Sequence, residues 1–590
     1  MNNNMTMKIT NLYRLKRTTD QKTISWIWCI AGKDKIHMLL LMAIQAFLGI
    51  SSVIVAWTLR DVIDSATSFN NAAFYRNITL FTGMILLQII ARSVKRFLDE
   101  YTKSGLENRF KERLFQTILT RDYEKVTTIH SAEWMNRLTS DTVVVAEGLT
   151  TIFPDFVGMA VRLLGALTAI WLMVPYLGIV LIPGGILLLL VSWVFRKKSK
   201  QLHKQVQEAD GNLRVFLSER LASLLIVRSF AKETQTAAAS WDAMQAHRDI
   251  RMKKNHFSNL CNTGFGLIMN GVYVAAVVFC GFGILQGTIS FGSFTAILQL
   301  IGQVQLPFAS LTGYLPKFYA MIASAERLME VENFEGINQA EIVDTKEIAR
   351  IYKEKFESIG LENAAFTYLP IDQKEEKKSV MPVVFSDVNL EITKGDYVSV
   401  TGHSGCGKST ILKVLMSLYH LDEGQCYIKK TDGVKEELSE KYIQLFAYVP
   451  QGNHLMSGSI REIVAFSDAR KMQDEQLIRE SLEIACATEF VDTLPLGIDT
   501  KLGERGLGLS EGQMQRIAIA RAICSGNPIL ILDESTSALD EDTEQRLLDN
   551  LKSMTDRTVL IVTHRPAVLK ICNRHVVMKE DEIEVRVNGN

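Results

Sequence analysis

Gly402-His403-Ser404-Gly405-Cys406-Gly407-Lys408-Ser409-Thr410 is the stretch that leaves this chain the least freedom. It follows the apolar, β-prone run Tyr397–Val400 and precedes the helix-like Ile411–Leu415. Gly402, Gly407, Lys408 and Ser409 fill the set positions of a P-loop, in the strand–loop–helix setting that this motif needs. The glycines let consecutive backbone N–H groups curl around a phosphate, and the following helix turns its positive end toward the same charge. In that arrangement Lys408 reaches the β- and γ-phosphates of ATP, and the Ser409 hydroxyl helps to hold Mg²⁺. His403, Ser404, Gly405, Cys406 and Thr410 complete the expected ATP-contacting loop.

A second constellation lies downstream. Ile529–Leu532 suits a buried parallel strand and ends in Asp533-Glu534. A carboxylate at the strand end can join a Mg²⁺ shell, and the next can polarise a water for attack on the γ-phosphate.

Between the two, Leu509-Ser510-Glu511-Gly512-Gln513 precedes the helical pattern Met514–Ala522. This resembles the signature of the ATP-binding-cassette (ABC) family, usually LSGGQ. Other family marks fall in the same order. Tyr448-Val449-Pro450-Gln451 resembles the Q-loop, with Gln451 joining Ser409 and Asp533 at the metal. Gly503-Glu504-Arg505-Gly506 is similar to the loop before the signature in exporters. Ser537-Ala538-Leu539-Asp540 resembles the D-loop, and His564, after Val559–Val562, the switch histidine. Tyr368 resembles the aromatic residue that stacks on adenine. The resemblance implies Glu534 and His564 as catalytic residues beside Lys408.

The chain has 590 residues, 47% of them hydrophobic, with a net charge of +0. That balance argues against a nucleic-acid binder. The eight cysteines are scattered with no CxxC, so neither a zinc site nor a disulfide framework is expected. Residues 1–22 are polar and basic, without the pattern of a cleaved signal. Ile24–Trp28, followed by Lys33 and Lys35, suggests an interfacial helix.

Six apolar segments follow, at about 37–59, 77–97, 148–173, 177–196, 258–285 and 292–322, each near spanning length. The second is the weakest, because Arg92 interrupts it. The connections after the second and fourth segments are long, polar and basic, which puts them, both termini and the ATPase in the cytosol. Arg162 sits mid-segment, where a charge is costly and faces a bundle interior or a wet cavity. Asp155 lies on a similar face and is a candidate partner. Arg162 either lines a cavity that favours acidic or phosphate-bearing cargo, or forms a structural ion pair. Gln299 and Gln303 share a face and are also cavity candidates, with interhelical hydrogen bonding the alternative.

The expected organisation is an N-terminal segment over 1–36, an all-α six-helix transmembrane domain over 37–329, a linker over 330–356 and an α/β P-loop NTPase domain over 357–590. The charged run Pro370–Lys378 reads as an extended hairpin turn. With this order the chain resembles an ABC exporter half-transporter. The resemblance implies a second half-transporter chain as partner, identical or different, and a lipid bilayer, that of the cell membrane. Short transverse helices near Tyr123–Met135 and Leu213–Val227 are then expected to dock onto the cassettes. ATP joins two cassettes through the opposite signature, driving alternating access, and hydrolysis resets it. Glu511, where the family has Gly, is expected to point away from the phosphate. An importer built on the same plan stays open, and the cargo is not named. The chain carries no recognisable leader-peptide protease domain and no repeat of the whole unit. Alkylation of Cys406 is expected to block ATP binding, with ATP protecting it.

Overall fold

The computed structural model describes residues 21–336, 342–368, 383–452, 455–503, 508–579 and 583–587, with side chains described outside 177–197, 308–312 and a few single positions. The charged run Pro370–Lys378, Glu504-Arg505-Gly506 and most of the N-terminal tail therefore lie outside the described residues. The chain forms two compact units. One takes the chain up to Glu112 together with Arg137–Met329; the other takes Arg113–Asn136 and the chain from Glu330 onward. The first long polar connection thus gives its tip to the second unit.

The first unit is built on six long helices: α1 (Asp34–Thr67), α2 (Asn71–Thr120), α3 (Thr142–Met173), α4 (Pro175–Ala222), α5 (Glu233–Leu285) and α6 (Phe291–Glu330). Each expected apolar segment falls within one of them. Four candidate spans, three lying in α1, α2 and α5 and the fourth running from Ser131 to the end of α3, are long and apolar enough to cross a membrane among the described residues. Because lipid offers no hydrogen-bond partners, the helix is the form in which such a segment satisfies its own backbone. Ala56, Ala166, Ala169, Ile170, Ala276, Cys280, Ile297 and Leu300 form a buried cluster shared by α1, α3, α5 and α6. Its small residues let the helices approach closely. At the foot of α3, the buried Asp141 accepts from Ser324 (2.9 Å) and from Arg327 Nε (2.9 Å) on α6.

The second unit holds two sheets. Strands β1 (Phe356–Thr367), β2 (Val383–Thr393), β4 (Glu423–Lys430) and β5 (Lys435–Glu437) form an antiparallel sheet in the order β2-β1-β4-β5. Strands β3 (Tyr397–Gly402), β6 (Phe446–Val449), β9 (Ile529–Asp533), β10 (Thr558–Val562), β11 (Arg574–Met578) and β12 (Ile583–Val587) form the other, in the order β12-β11-β3-β10-β9-β6. Gly458–Ser459 (β7) and Lys501–Leu502 (β8) make a small separate pair. The inner strands of the large sheet run parallel. Every residue of β9 and β10 is buried, as a parallel strand covered on both faces requires.

Candidate functional site: strand ends around a phosphate loop

Register explains why residues far apart in sequence meet. In the large sheet β10 lies between β3 and β9, and Val562 pairs with Val400 on one side and with Asp533 on the other. On the far side of β9, Val449 of β6 pairs with Leu532. Four adjacent strands therefore end together at their carboxyl edge. They release, in order, the 402–410 loop, His564, Asp533-Glu534 and Gln451. The crevice beyond the carboxyl ends of parallel strands is where α/β folds bind ligands.

The loop enters helix α7 (Lys408–Leu415), and Gly407, with φ of 93°, caps its start. Gly405 has φ of 86°, and a Cβ there would meet nothing within 4 Å, so the loop leaves open space at that point. That cradle fits a phosphate. Lys408 Nζ folds back over the loop and donates to the carbonyls of Gly402 and His403, both at 2.9 Å. Cys406 is buried within the loop.

Asp533 is 1% exposed; its Oδ2 accepts from the Tyr448 hydroxyl at 3.1 Å, while its Oδ1 is buried without a partner. Burial raises its carboxyl pKa, against the hydrogen bonds from Ser409 and Tyr448. Burial and Asp533 together push the Tyr448 phenol up. Glu534 has a left-handed backbone, φ 49°, uncommon for a residue with a side chain and frequent at functional sites. Its amide donates to Val562 O at 3.1 Å, which holds this conformation to the sheet. The carboxylate takes a hydrogen bond from Gln451 Nε2 at 2.6 Å and lies 3.6 Å from His564 Nε2. Tyr368 is half-exposed, its hydroxyl 2.6 Å from Thr410 Oγ1 at the end of the loop.

Leu509–Gln513 lie at the start of helix α8 (Glu511–Ser525). Ser510 is the N-cap and forms a reciprocal capping box with Gln513: Ser510 N donates to Gln513 Oε1 (2.8 Å) and Gln513 N to Ser510 Oγ (3.3 Å). Glu511 is exposed in the first turn, where a negative charge suits the helix dipole. A Cβ on Gly512 would sit 2.7 Å from Ala538 O, so only glycine lets the signature lie against Ser537–Asp540. Among the described residues, none of Leu509–Gln513 hydrogen-bonds to the 402–410 loop. Sequence reasoning missed two ties here. Gln515 accepts from the Ala538 amide at 3.2 Å. Arg565 donates to Ser537 O (2.6 Å), Leu539 O (2.9 Å) and the buried Glu544 (2.9 Å) of helix α9 (Glu541–Lys552). The position of Arg565 directly after His564 was the available signal. Asp540 caps α9, and the bond from Thr543 N lowers its carboxyl pKa.

Residues 38–308 match the family model for the ABC transporter transmembrane region, and 385–537 that for the ABC transporter cassette. The chain belongs to the ABC transporter family. The transporter is 27% identical over 540 residues to ABC transporter B family member 1 of Dictyostelium discoideum, covering 89% of this chain but only 56% of that relative. It is 26% identical to an ATP-dependent lipid A-core flippase of Haemophilus ducreyi, over 90% of this chain and 88% of the relative. Its fold matches a bacterial Atm1-family ABC exporter solved with ATP bound, at a TM-score of 0.77 and 20% identity, over 93% of this chain and 95% of that one. It is a membrane-spanning, ATP-hydrolysing transporter.

Within the transporter's second unit, the short helix Tyr123–Thr127 sits on the cassette. Asp122 caps it by accepting from Glu124 N at 3.0 Å and lies 3.8 Å from His420. The Tyr123 ring stands 6.2 Å from that of Tyr419, and Asp122 N donates to Glu335 O at 2.9 Å. Burial raises the Glu124 carboxyl pKa. Tyr419 and His420 carry no motif, and nothing in the local sequence signals their role. Near the other expected site, the helix Leu224–Ser229 exposes Leu224, Leu225 and Ile226.

In the transporter's first unit, the anticipated Asp155–Arg162 pair does not form. Asp155 is held by Lys95 (3.3 Å), the Tyr314 hydroxyl (2.8 Å) and Gln45. Arg162 Nε is buried without a hydrogen-bond partner, as is Gln299 Oε1. Gln303 is engaged with Ser52, donating to its carbonyl at 2.9 Å and accepting from its hydroxyl at 3.0 Å, so it ties α6 to α1.

Proposed function

We propose that this chain is one half of an exporter, which pairs with a second chain of the same architecture in the cell membrane. It moves a small molecule, lipid or peptide outward by alternating access. The observation that carries the reading is the set of four neighbouring strand ends presenting Lys408, His564, Asp533-Glu534 and Gln451 together.

Lys408 exchanges its two loop carbonyls for the β- and γ-phosphates of ATP. The buried, unpartnered Asp533 Oδ1 and the Ser409 hydroxyl form an oxygen-donor set that suits Mg²⁺, with Gln451 as a third contributor. Bound there, Mg²⁺ neutralises charge on the transferring phosphoryl group. Glu534 orients and deprotonates the attacking water, and His564 holds the γ-phosphate side. The start of α8 offers Ser510 and free amides to the partner's nucleotide, since Leu509–Gln513 stay apart from their own loop. The exposed Leu224–Ser229 helix docks onto the partner's cassette.

The test is ATPase activity of the full chain in lipid nanodiscs, wild type beside Glu534→Gln, with ATP-driven flux in inverted vesicles. Turnover that is lost in the variant, together with uptake into inverted vesicles, supports the reading. Efflux from those vesicles would make it an importer. Turnover that persists in Glu534→Gln would remove Glu534 as base.

A further inference from the structure

We propose that the cargo is an amphiphilic anion, a phosphate or carboxylate head on an apolar body, and that Arg162 binds its head. This rests on the transport reading above and names the class of what is moved.

The charge pattern of the six apolar segments is lopsided. They hold Arg92, Lys95, Arg96, Arg162, Arg196 and Lys317, against Asp155 as their one carboxylate. That carboxylate is already taken. Lys95 lies 3.3 Å from it, and Tyr314 and Gln45 donate to it as well. Arg162 stands about 16 Å of helix from the end of α3, deep within an apolar stretch. Its backbone lies against α1: a Cβ on Gly49 would lie 2.9 Å from Gly158 O and 3.2 Å from the Arg162 amide nitrogen. The charged groups that act on its guanidinium are Arg92 and Asp155, and Arg92 adds to the positive field.

No hydrogen bond or ion pair engages the Arg162 guanidinium among the described residues, and its Nε is sealed from solvent. Arg162 is partly buried, and a permanently charged guanidinium whose Nε is sealed without a hydrogen-bond partner is costly in an apolar setting. Its planar fork matches a carboxylate or phosphate. An anion brought by the cargo satisfies it, and the apolar residues that flank Arg162 along α3 suit the cargo's body.

The test measures equilibrium binding to the full chain in phosphatidylcholine nanodiscs, with decyl phosphate and uncharged decyl glucoside as probes. Wild type is expected to prefer the phosphate by at least about tenfold, a preference that falls with salt. Arg162→Gln should erase the preference, and Arg162→Lys should keep part of it. Asp155→Asn, which releases Lys95, should tighten phosphate binding by about threefold or more. Equal affinity for the two probes in wild type, or a preference intact in Arg162→Gln, overturns the proposal. If Arg162→Gln fails to assemble, unchanged affinity in Asp155→Asn overturns it. Repeating the measurement in phosphatidylglycerol discs separates the sources: competition supports a lipid headgroup, and its absence supports a free amphiphile. ATPase activity in the same discs tells the two readings apart, because turnover without anion preference sinks only the cargo class.

Discussion

Gln451 donates its side-chain amide to the Glu534 carboxylate at 2.6 Å, joining the end of β6 to the end of β9. The proposed base is thus held by the residue that, in the proposed mechanism, turns to the metal when the site loads. Glu534→Gln should lower kcat by about 10²–10³ while leaving ATP binding intact. Gln451→Ala should lower kcat by about tenfold, because it frees Glu534 but removes a proposed metal ligand. Steady-state ATPase beside nucleotide-binding titration distinguishes the two.

Glu511 and Gly512 are adjacent and should behave oppositely. Glu511 is exposed in the first turn of α8, so Glu511→Gly should change turnover by less than about twofold and cost a few tenths of a kcal/mol of helix stability. Gly512→Ala places a methyl against Ala538 O, at 2.7 Å, and should cut turnover by about tenfold or more through a displaced D-loop. Loss of activity in Glu511→Gly would show that the departure from the family pattern is functional.

Arg565 acts as a positioning residue through the D-loop. Arg565→Ala leaves the buried Glu544 without its cation and two D-loop carbonyls without their donor. Destabilisation of about 1–3 kcal/mol is expected. Beyond that, kcat should fall more than KM for ATP rises, since the 402–410 loop is not touched. Arg565→Lys restores the charge but not the fork, and should recover stability more fully than kcat.

Asp122 caps the short helix that rests on Tyr419 and His420. Asp122→Ala should cost about 1 kcal/mol locally. It should lower cargo moved per ATP hydrolysed more than it lowers ATP hydrolysis itself. Parallel measurement of flux and phosphate release checks this, and a proportional fall in both would count against a coupling role.

Stability should depend on pH through Asp533. Its folded-state pKa lies above the ordinary 3.8 because burial opposes ionisation, so the folded chain binds the proton more tightly than the unfolded one. The resulting penalty is absent below 3.8, grows as pH rises through the folded-state value and is complete above it. Without nucleotide, Asp533→Asn should therefore raise the thermal midpoint by about 2–4 °C at pH 7 and leave it nearly unchanged at pH 3.5. A midpoint unchanged at both pH values would mean that the ionised carboxylate is not destabilising. The same variant should lose hydrolysis.

Much of the nucleotide site was legible because its chemistry demands particular residues at short spacing. A phosphate cradle needs the 402–410 glycines and lysine, and a strand ending in Asp533-Glu534 needs an apolar run before it. The ties made by Gln515, Arg565 and the Tyr448 hydroxyl were not legible because each acts on a partner distant in sequence. The docking contact of Tyr123 on Tyr419 escaped for the same reason: two ordinary aromatic residues carry no local pattern.

The sequence alone determined the class of machine, since apolar segment length decides what lies in a bilayer and motif order decides what binds ATP. Only the tertiary structure decided who partners whom. Helical spacing put Asp155 and Arg162 on one face, which allowed an ion pair. Packing instead brought α2 and α6 to that face, so Lys95 and Tyr314 took the carboxylate and Arg162 was left without one. A charge's partner is set by distance in space, and the spacing of residues along one helix limits that distance only within that helix.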